Sequence, residues 1–437
     1  MGRVTHAVVW LAIVSWSAAG CSGGSGGQHD APAADPTPSR GSPTATATDD
    51  GPYQPTEDDR TAIRDLLETR AAALSEGDRA AFMATVDTED PRLVRQQRTL
   101  FANLQRLPVE SVSYSVDDAS GYPVAEVGGD DPVFRPLVVE QVELAVDALP
   151  VSNQLEDTFV RRDGSWLLGA ESLPGKYHDA RGPQSRPWAG GVAVAAASSG
   201  RLVVVVDRAR ARSAVGLADQ MTGYIRFAAS VLDVEPTYAV LVDATSVGDT
   251  SALNTVDDSE AAATTATVLN FSPGGPTRLA GTRIKVNPET AVSTVADVEV
   301  MRHELTHFLT LGRLAGAPIW VKEGIAEWVS TAPAGLDGLV APAALVRHVQ
   351  QVLHRLPTNG RWGLDPRADY LVGRAAVTHL VQAFGVATVF EMARAYRSID
   401  GDDPDQKTAR VLQRVVGITE AELVRATWGE IDRLQRR

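Results

Sequence analysis

Two short segments in the second half of the chain constrain the fold more than any other feature. The run His-Glu-Leu-Thr-His at 303–307 carries two histidines four positions apart, and Glu323 follows sixteen positions after the second of them. On an α-helix, side chains at i and i+4 leave the same face, so both imidazoles can reach one ion while Glu304 lies beside it. The pattern predicts two adjacent helices that bring two imidazoles and a carboxylate to one point, as in a zinc site with three protein ligands.

Chance is a weak explanation of this pattern. The chain has only 8 His and 55 acidic residues among its 437 positions, so a His-acid-x-x-His run is expected roughly 0.02 times by accident. Val300, Met301, Phe308 and Leu309 surround the run, and such an apolar stripe would hold the ligand face of a helix against a core. The alternative is a helix whose histidines are merely solvated or hydrogen-bonded.

Together with the downstream Trp-x-x-Glu-Gly-x-Ala segment, this run resembles the gluzincin metallopeptidases, the group that includes thermolysin. The resemblance implies that His303 and His307 ligate Zn²⁺, that Glu304 is the general base, and that Glu323 is the third ligand. It also implies a peptide or protein as substrate. The Gly-x-Met-Glu-Asn segment of the related aminopeptidases is absent, so the expected activity is that of an endopeptidase.

Glu327 is the competing candidate for the third ligand. The thermolysin-like alignment instead makes it the carboxylate that accepts the free ring N–H of a zinc histidine, with His303 as the favoured partner. Pro318 suits a helix start, so a second helix is expected over 319–330 with Glu327 one turn beyond the ligand. Because Gly324 and Ala326 are small, we expect the two zinc helices to approach closely.

The expected chemistry is hydrolysis by a zinc-activated water, with Glu304 taking and returning the proton. In the resembling enzymes a Tyr or His from a later helix stabilises the oxyanion. Tyr370 is the candidate by position, although an aromatic residue that merely packs the helix end explains it equally well. His379, nine residues on, is expected to be a core or groove histidine.

The N-terminus predicts export. Residues 1–21 have an apolar run too short for a membrane span, followed by Ala-Ala-Gly-Cys21, which resembles the lipobox of bacterial lipoproteins. This implies a membrane partner through lipid on Cys21, at the outer face of the cytoplasmic membrane; a plain secretory signal is the alternative. Cys21 is the only cysteine, which excludes an intrachain disulfide. The Gly/Ser/Pro/Thr-rich stretch 22–56 is predicted to be a disordered linker.

Two folded domains of α+β class are expected beyond the linker. Residues 57–180 read as three helices and then an antiparallel sheet, an order that resembles the NTF2-like (SnoaL-like) cone and favours an accessory role. Residues 188–437 read as a small mixed sheet followed by a mostly helical half, which is the zinc metallopeptidase-like domain. The strand over 282–287 precedes the zinc helix, and in the resembling enzymes that edge strand pairs with substrate.

The chain is acidic, with 55 Asp and Glu against 41 Lys and Arg. The net charge of −14 argues against a nucleic-acid partner, which would require a basic surface.

Within the two domains, strands are predicted over 112–116, 124–127, 137–146, 158–160, 166–168, 192–197, 202–207, 238–243 and 267–271.

The competing functional interpretation is an inactive zinc-binding or ligand-binding lipoprotein of the cell envelope.

Overall fold

The computed structural model describes residues 55–116, 132–172, 186–246, 263–286, 297–332, 342–352, 354–401 and 403–435. The helices are α1 (Glu57–Glu76), α2 (Arg79–Ala84), α3 (Pro91–Leu104), α4 (Ala211–Leu232), α5 (Val298–Thr310), α6 (Ile319–Ser330), α7 (Ala343–Val352), α8 (Pro366–Phe384), α9 (Val386–Ser398), α10 (Pro404–Val411) and α11 (Glu420–Gln435). The strands are β1 (Val109–Val116), β2 (Val133–Phe134), β3 (Leu137–Leu144), β4 (Val151–Arg162), β5 (Ser165–Ser172), β6 (Val194–Ser199), β7 (Leu202–Asp207), β8 (Val240–Ala244), β9 (Ala263–Asn270) and β10 (Arg278–Val286).

The N-terminal part consists of α1 to α3 followed by an antiparallel sheet, in the predicted order. Its strands run β1-β3-β4-β2, and β5 pairs with β4. Asp163 and Gly164 make the turn between β4 and β5, with φ of 49° and 83°, as a two-residue hairpin requires. The strand predicted over 158–160 is wrong in length, since β4 begins at Val151. Ser152 and Asn153 are polar, so the sequence does not indicate a strand here, although both residues are buried in the structure. The strand predicted over 124–127 lies outside the described residues.

The second sheet supports the candidate site. Its order is β6-β7-β8-β10-β9, in which β7, β8 and β10 are parallel and the two outer strands are antiparallel to their neighbours. The prediction that the strand over 282–287 is an edge is wrong, because β10 lies between β8 and β9. The outer strand at this end is β9, and β10 already hydrogen-bonds on both sides.

Both faces of this sheet are buried, each against a different part of the chain. Val204, Val206 and Val242 belong to the large core formed with α4, α5 and the C-terminal helices. Val203 and Val205 belong to a core shared with the N-terminal helices and Trp188. Successive residues of a strand point to opposite faces, so these unbroken valine runs are the signature of a sheet covered on both sides. The N-terminal part therefore packs directly behind the sheet that carries the site.

A polar cluster lies inside the N-terminal part. The guanidinium of Arg186 donates to both carboxylate oxygens of Glu140, at 2.7 and 2.9 Å, and to Glu171 at 3.0 Å. All three side chains are largely buried. The sequence shows no sign of this cluster, since its members come from separate strands and from the segment after β5.

The C-terminal part is helical, as predicted. Helix α6 packs between α5 and α8, and α8 also packs against α9 and α11. Within the described ranges no single helix is long and apolar enough to cross a membrane, although α8 and α9, bent by 112° at their junction, together have the length and composition for it.

Candidate metal centre

Helix α5 presents the two histidines. Asp297 caps its first turn by accepting from the main-chain N–H groups of Glu299 and Val300, at 3.0 and 3.3 Å, which satisfies donors that a helix start leaves unpaired. His303 and His307 lie one turn apart, with their Nε2 atoms separated by 3.0 Å. Both imidazoles thus point to the same side, as the i and i+4 spacing predicts.

Helix α6 supplies the carboxylate. The connection from α5 turns at Gly316, whose φ of +80° favours glycine, and the helix begins at Ile319 directly after Pro318. The first main-chain N–H of α6 donates to Asn359 at 2.8 Å. With the helix beginning at Ile319, Glu323 lies next to the two histidines. Its Oε2 is 3.3 Å from the Nε2 atoms of both His303 and His307.

These three side chains could hold a metal ion. Their candidate ligand atoms all lie within 4.8 Å of one another, and the separations of 3.0 to 3.3 Å match the roughly 3.3 Å between ligand atoms that bond one tetrahedral ion at about 2.0 to 2.1 Å. Oε2 of Glu323 is buried and makes no well-aligned hydrogen bond among the described residues, although both ring Nε2 atoms lie 3.3 Å away. A buried acceptor of this kind is costly unless a cation satisfies it.

Charge in the cluster is arranged for such a cation. Although burial alone would raise the pKa of Glu323, the adjacent His307 and His303 lower it to about 2. Burial opposes charge on His303 as well, but the carboxylates of Glu323 and Glu327 raise its pKa to about 10. A proton on His303 thus compensates the buried carboxylates where a metal ion would do so.

Glu327 lies behind His303, on the side away from the cluster. Its Oε1 is 2.9 Å from Nδ1 of His303, the contact that the sequence predicts. Its Oε2 lies 3.9 Å from the guanidinium of Arg374, and Arg374 also donates to Thr331 at 2.8 Å. Since Glu327 contacts the ring nitrogen that faces away from the cluster, it can fix the tautomer in which Nε2 is the free ligand atom.

Glu304 lies one residue from the first histidine and is fully buried. Its Oε2 accepts a hydrogen bond of 2.6 Å from the hydroxyl of Thr265. Its Oε1 has no hydrogen-bond partner among the described residues. Burial raises the pKa of Glu304 above its usual range, although both neighbouring histidines and Thr265 oppose the shift. A carboxylate with one oxygen held and the other uncommitted can take up and release a proton at a fixed place.

Tyr370 is also brought to the site. The helix that carries it begins at Pro366 rather than at Tyr370 itself, capped by Asp365. The Tyr370 ring centroid lies 6.2 Å from that of His303 and 5.2 Å from that of Trp362, both in edge-to-face geometry. His379, by contrast, lies 3.8 Å from Glu430 and belongs to a separate group. Cys21 lies outside the described residues.

The two candidate zinc helices pack against each other, as expected, but Gly324 contacts a different helix. A Cβ on Gly324 would lie 2.4 Å from the main-chain oxygen of Gly373, so this glycine allows the close approach of α6 to α8. Neighbouring residues of a helix point about 100° apart. Because Glu323 faces α5, the residue after it faces a different neighbour.

Sequence reasoning missed Thr265, Arg374 and Trp362. Thr265 and Arg374 lie 39 and 47 positions from the residues that they contact at the site, Glu304 and Glu327, so no helical spacing links each pair. Trp362 comes from the loop before α8. Only a prediction of which strand lies beside α5 could have found Thr265.

Comparison of the chain with protein-family models, curated proteins and solved structures gives no match.

Proposed function

We propose that this protein is an exported zinc metallopeptidase of the gluzincin kind that cleaves peptide bonds within peptides or proteins. The observation that carries the proposal is the convergence of His303, His307 and Glu323 with Glu304 buried beside them. Two neutral imidazoles and one carboxylate form a donor set that suits Zn²⁺ and leaves a coordination position open.

Zinc in this site would supply Lewis acidity, lowering the pKa of a water to about 7 and polarising a carbonyl. Glu304 would accept the proton of the attacking water through its uncommitted Oε1 and deliver it to the leaving amine. Glu327 would keep His303 in the ligating tautomer. Tyr370 would donate a hydrogen bond to the oxygen on which negative charge develops.

The rest of the chain fits an enzyme at the cell surface. Lipid on Cys21 would tether it to the outer face of the cytoplasmic membrane, and the 22–56 linker would separate the folded part from that surface. The N-terminal part, with its helices and antiparallel sheet, would serve as an accessory module of the NTF2-like kind. It packs against the sheet behind the site and contributes no member of the metal-ligand group.

Replacement of the general base tests the proposal. We expect Glu304→Gln to retain the zinc content of the wild type and to lose hydrolysis of an unfolded protein by at least about 100-fold, because general-base catalysis is removed while the ligands stay. Glu391→Gln, an exposed position on α9, is the matched control and should behave as wild type. Equal hydrolysis by wild type and Glu304→Gln would overturn the catalytic assignment. Zinc binding without hydrolysis by the wild type would favour the inactive metal-binding protein.

A further inference from the structure

A hydroxyl from the sheet contacts the buried carboxylate of the candidate site. Thr265 lies on β9, and its Oγ1 is 2.6 Å from Oε2 of Glu304 and 3.0 Å from the main-chain oxygen of the same residue. We propose that Thr265 is a positioning residue that holds Oε2 of Glu304 so that Oε1 faces the reacting water. This inference rests on the proposed function.

The two oxygens of Glu304 have different surroundings. Oε2 has the hydroxyl of Thr265, whereas Oε1 is buried without a partner among the described residues. A glutamate side chain has three rotatable bonds, so a base on a helix needs a contact that selects one arrangement. A hydrogen bond to a charged acceptor is shorter and stronger than one between neutral groups. It therefore fixes which oxygen is free and where that oxygen lies.

Thr265 is itself held rigidly. Its strand pairs with β10, with Thr265 opposite Ile284, and Ala263 on the same face is part of the large core. The other end of β9 leads to Phe271, whose main-chain N–H and C=O both bond to Ser152. A β-branched residue in a strand has few allowed χ1 rotamers. The hydroxyl is therefore a fixed reference point for the side chain of Glu304.

A purely structural role is the competing interpretation. Thr265 has one hydroxyl proton, and it could serve only the main-chain oxygen of Glu304, tying the sheet to α5. In that case loss of the hydroxyl would affect stability to the same extent whether or not the carboxylate is present. The two interpretations thus differ in whether Thr265 and the Glu304 side chain are energetically coupled.

The test uses the full chain with Thr265→Val, which keeps shape and strand preference but removes the hydroxyl. Thr265→Ser restores a hydroxyl, and Thr267→Val makes the same change two residues along the strand. We expect Thr265→Val to keep its zinc content and its KM, and to lower kcat about 10- to 100-fold, the cost of a misplaced catalytic group. Thr265→Ser should return kcat to within about 3-fold of wild type, and Thr267→Val should leave it unchanged.

A second measurement does not depend on activity. In metal-free protein, Thr265→Val should lower the unfolding midpoint in the wild-type background and shift it much less in the Glu304→Ala background. Equal shifts in both backgrounds, or a kcat of Thr265→Val equal to that of the wild type, would overturn the role of Thr265 while leaving the proposed function standing. Absence of hydrolysis by zinc-loaded wild type would overturn the proposed function itself, and the catalytic role of Thr265 with it.

Discussion

Two buried carboxylates near the site show how local surroundings decide ionisation at the scale of single residues. Glu323 contacts two imidazoles, and these lower its pKa to about 2 in spite of burial. Burial raises the pKa of Asp369 to about 6, and the main-chain N–H of Gly363 only partly offsets this effect. Both acids are buried, so the presence of a cationic partner makes the difference.

The raised pKa of Asp369 predicts a pH dependence of stability. A group whose pKa is higher in the folded than in the unfolded protein stabilises the fold below its unfolded value, near pH 4, and this contribution is lost as the pH rises through about 6. Asn cannot ionise, so Asp369→Asn should not lose this contribution as the pH rises. We therefore expect the stability of Asp369→Asn relative to wild type to be greater at pH 7 than at pH 4, by about 1 kcal/mol after allowance for solvent screening.

Chemical denaturation at the two pH values, with a chelator present, measures this difference. Asp58→Asn, an exposed position of α1, is the control for the substitution itself and should change the free energy of unfolding by no more than about 1 kcal/mol. A constant difference between wild type and Asp369→Asn at both pH values would contradict the assignment of the shift to Asp369.

Sequence reasoning at this scale succeeds within a helix, and between elements it succeeds only for Glu323 and Glu327, which the resemblance placed beside the histidines. His303, Glu304 and His307 follow from helical spacing, and the distance between Glu323 and Glu327 follows from the same rule. Thr265 could not be found in this way, because its contact with Glu304 depends on which strand of the sheet lies next to α5. Asp369 has an altered pKa only because the loop at Gly363 and α8 bury it together.

At the scale of elements, the contact between α6 and α8 sets the spacing of the site. Gly324 follows the candidate ligand Glu323, and Gly373 lies one turn after Tyr370. The two glycines lie at the contact between α6 and α8. A Cβ on Gly373 would lie 3.2 Å from the main-chain oxygen of Trp320. Small residues at both positions let the two backbones approach closely.

We expect Gly324→Ala to destabilise the protein by about 1 to 3 kcal/mol, the usual cost of an overpacked core. The added Cβ would lie 2.4 Å from backbone oxygen, which cannot move aside without shifting α8 and Tyr370. Gly429→Ala on α11 is the matched control, because its Cβ would meet nothing within 4 Å and alanine favours a helix. Thermal unfolding of both variants tests this; equal stability of Gly324→Ala and wild type would show that the helices are not in contact there.

Most helices and strands could be predicted, because their apolar periodicity is strong. Helix α6 has the predicted bounds. The place of β10 could not be predicted, since strand order depends on pairing between residues that are distant in sequence. The same limit applies to β4, in which Ser152 and Asn153 are polar but buried, and Ser152 bonds to Phe271 at the end of β9.

At the scale of the whole molecule, a buried ion pair joins the two predicted domains. Arg283 on β10 donates to both oxygens of Asp147, which follows β3, at 2.6 and 2.8 Å. Both side chains are fully buried. Together with the core around Trp188, this pair makes the N-terminal part a support for the strands that flank the site. The sequence boundary between 57–180 and 188–437 gives no indication of such contact.

We expect Arg283→Leu to lower the free energy of unfolding by about 3 to 5 kcal/mol, because it leaves the carboxylate of Asp147 buried without a counter-charge, although the main-chain N–H of Leu144 still donates to it. The double variant Asp147→Leu/Arg283→Leu should recover part of this loss, since an apolar pair of similar size avoids the uncompensated charge. Denaturant unfolding of the three proteins measures it. A double variant less stable than Arg283→Leu would contradict the account of this pair.

The metal content of the purified protein tests the central claim most directly. We predict one zinc ion per chain in the wild type, loss of that ion in Glu323→Gln, and its retention with about 10- to 100-fold weaker affinity in Glu327→Gln, which removes only the carboxylate behind His303. Elemental analysis after dialysis, with competition by a chelator, gives both quantities. A wild type that binds no zinc, or a Glu323→Gln variant that binds it as tightly as the wild type, would contradict the account.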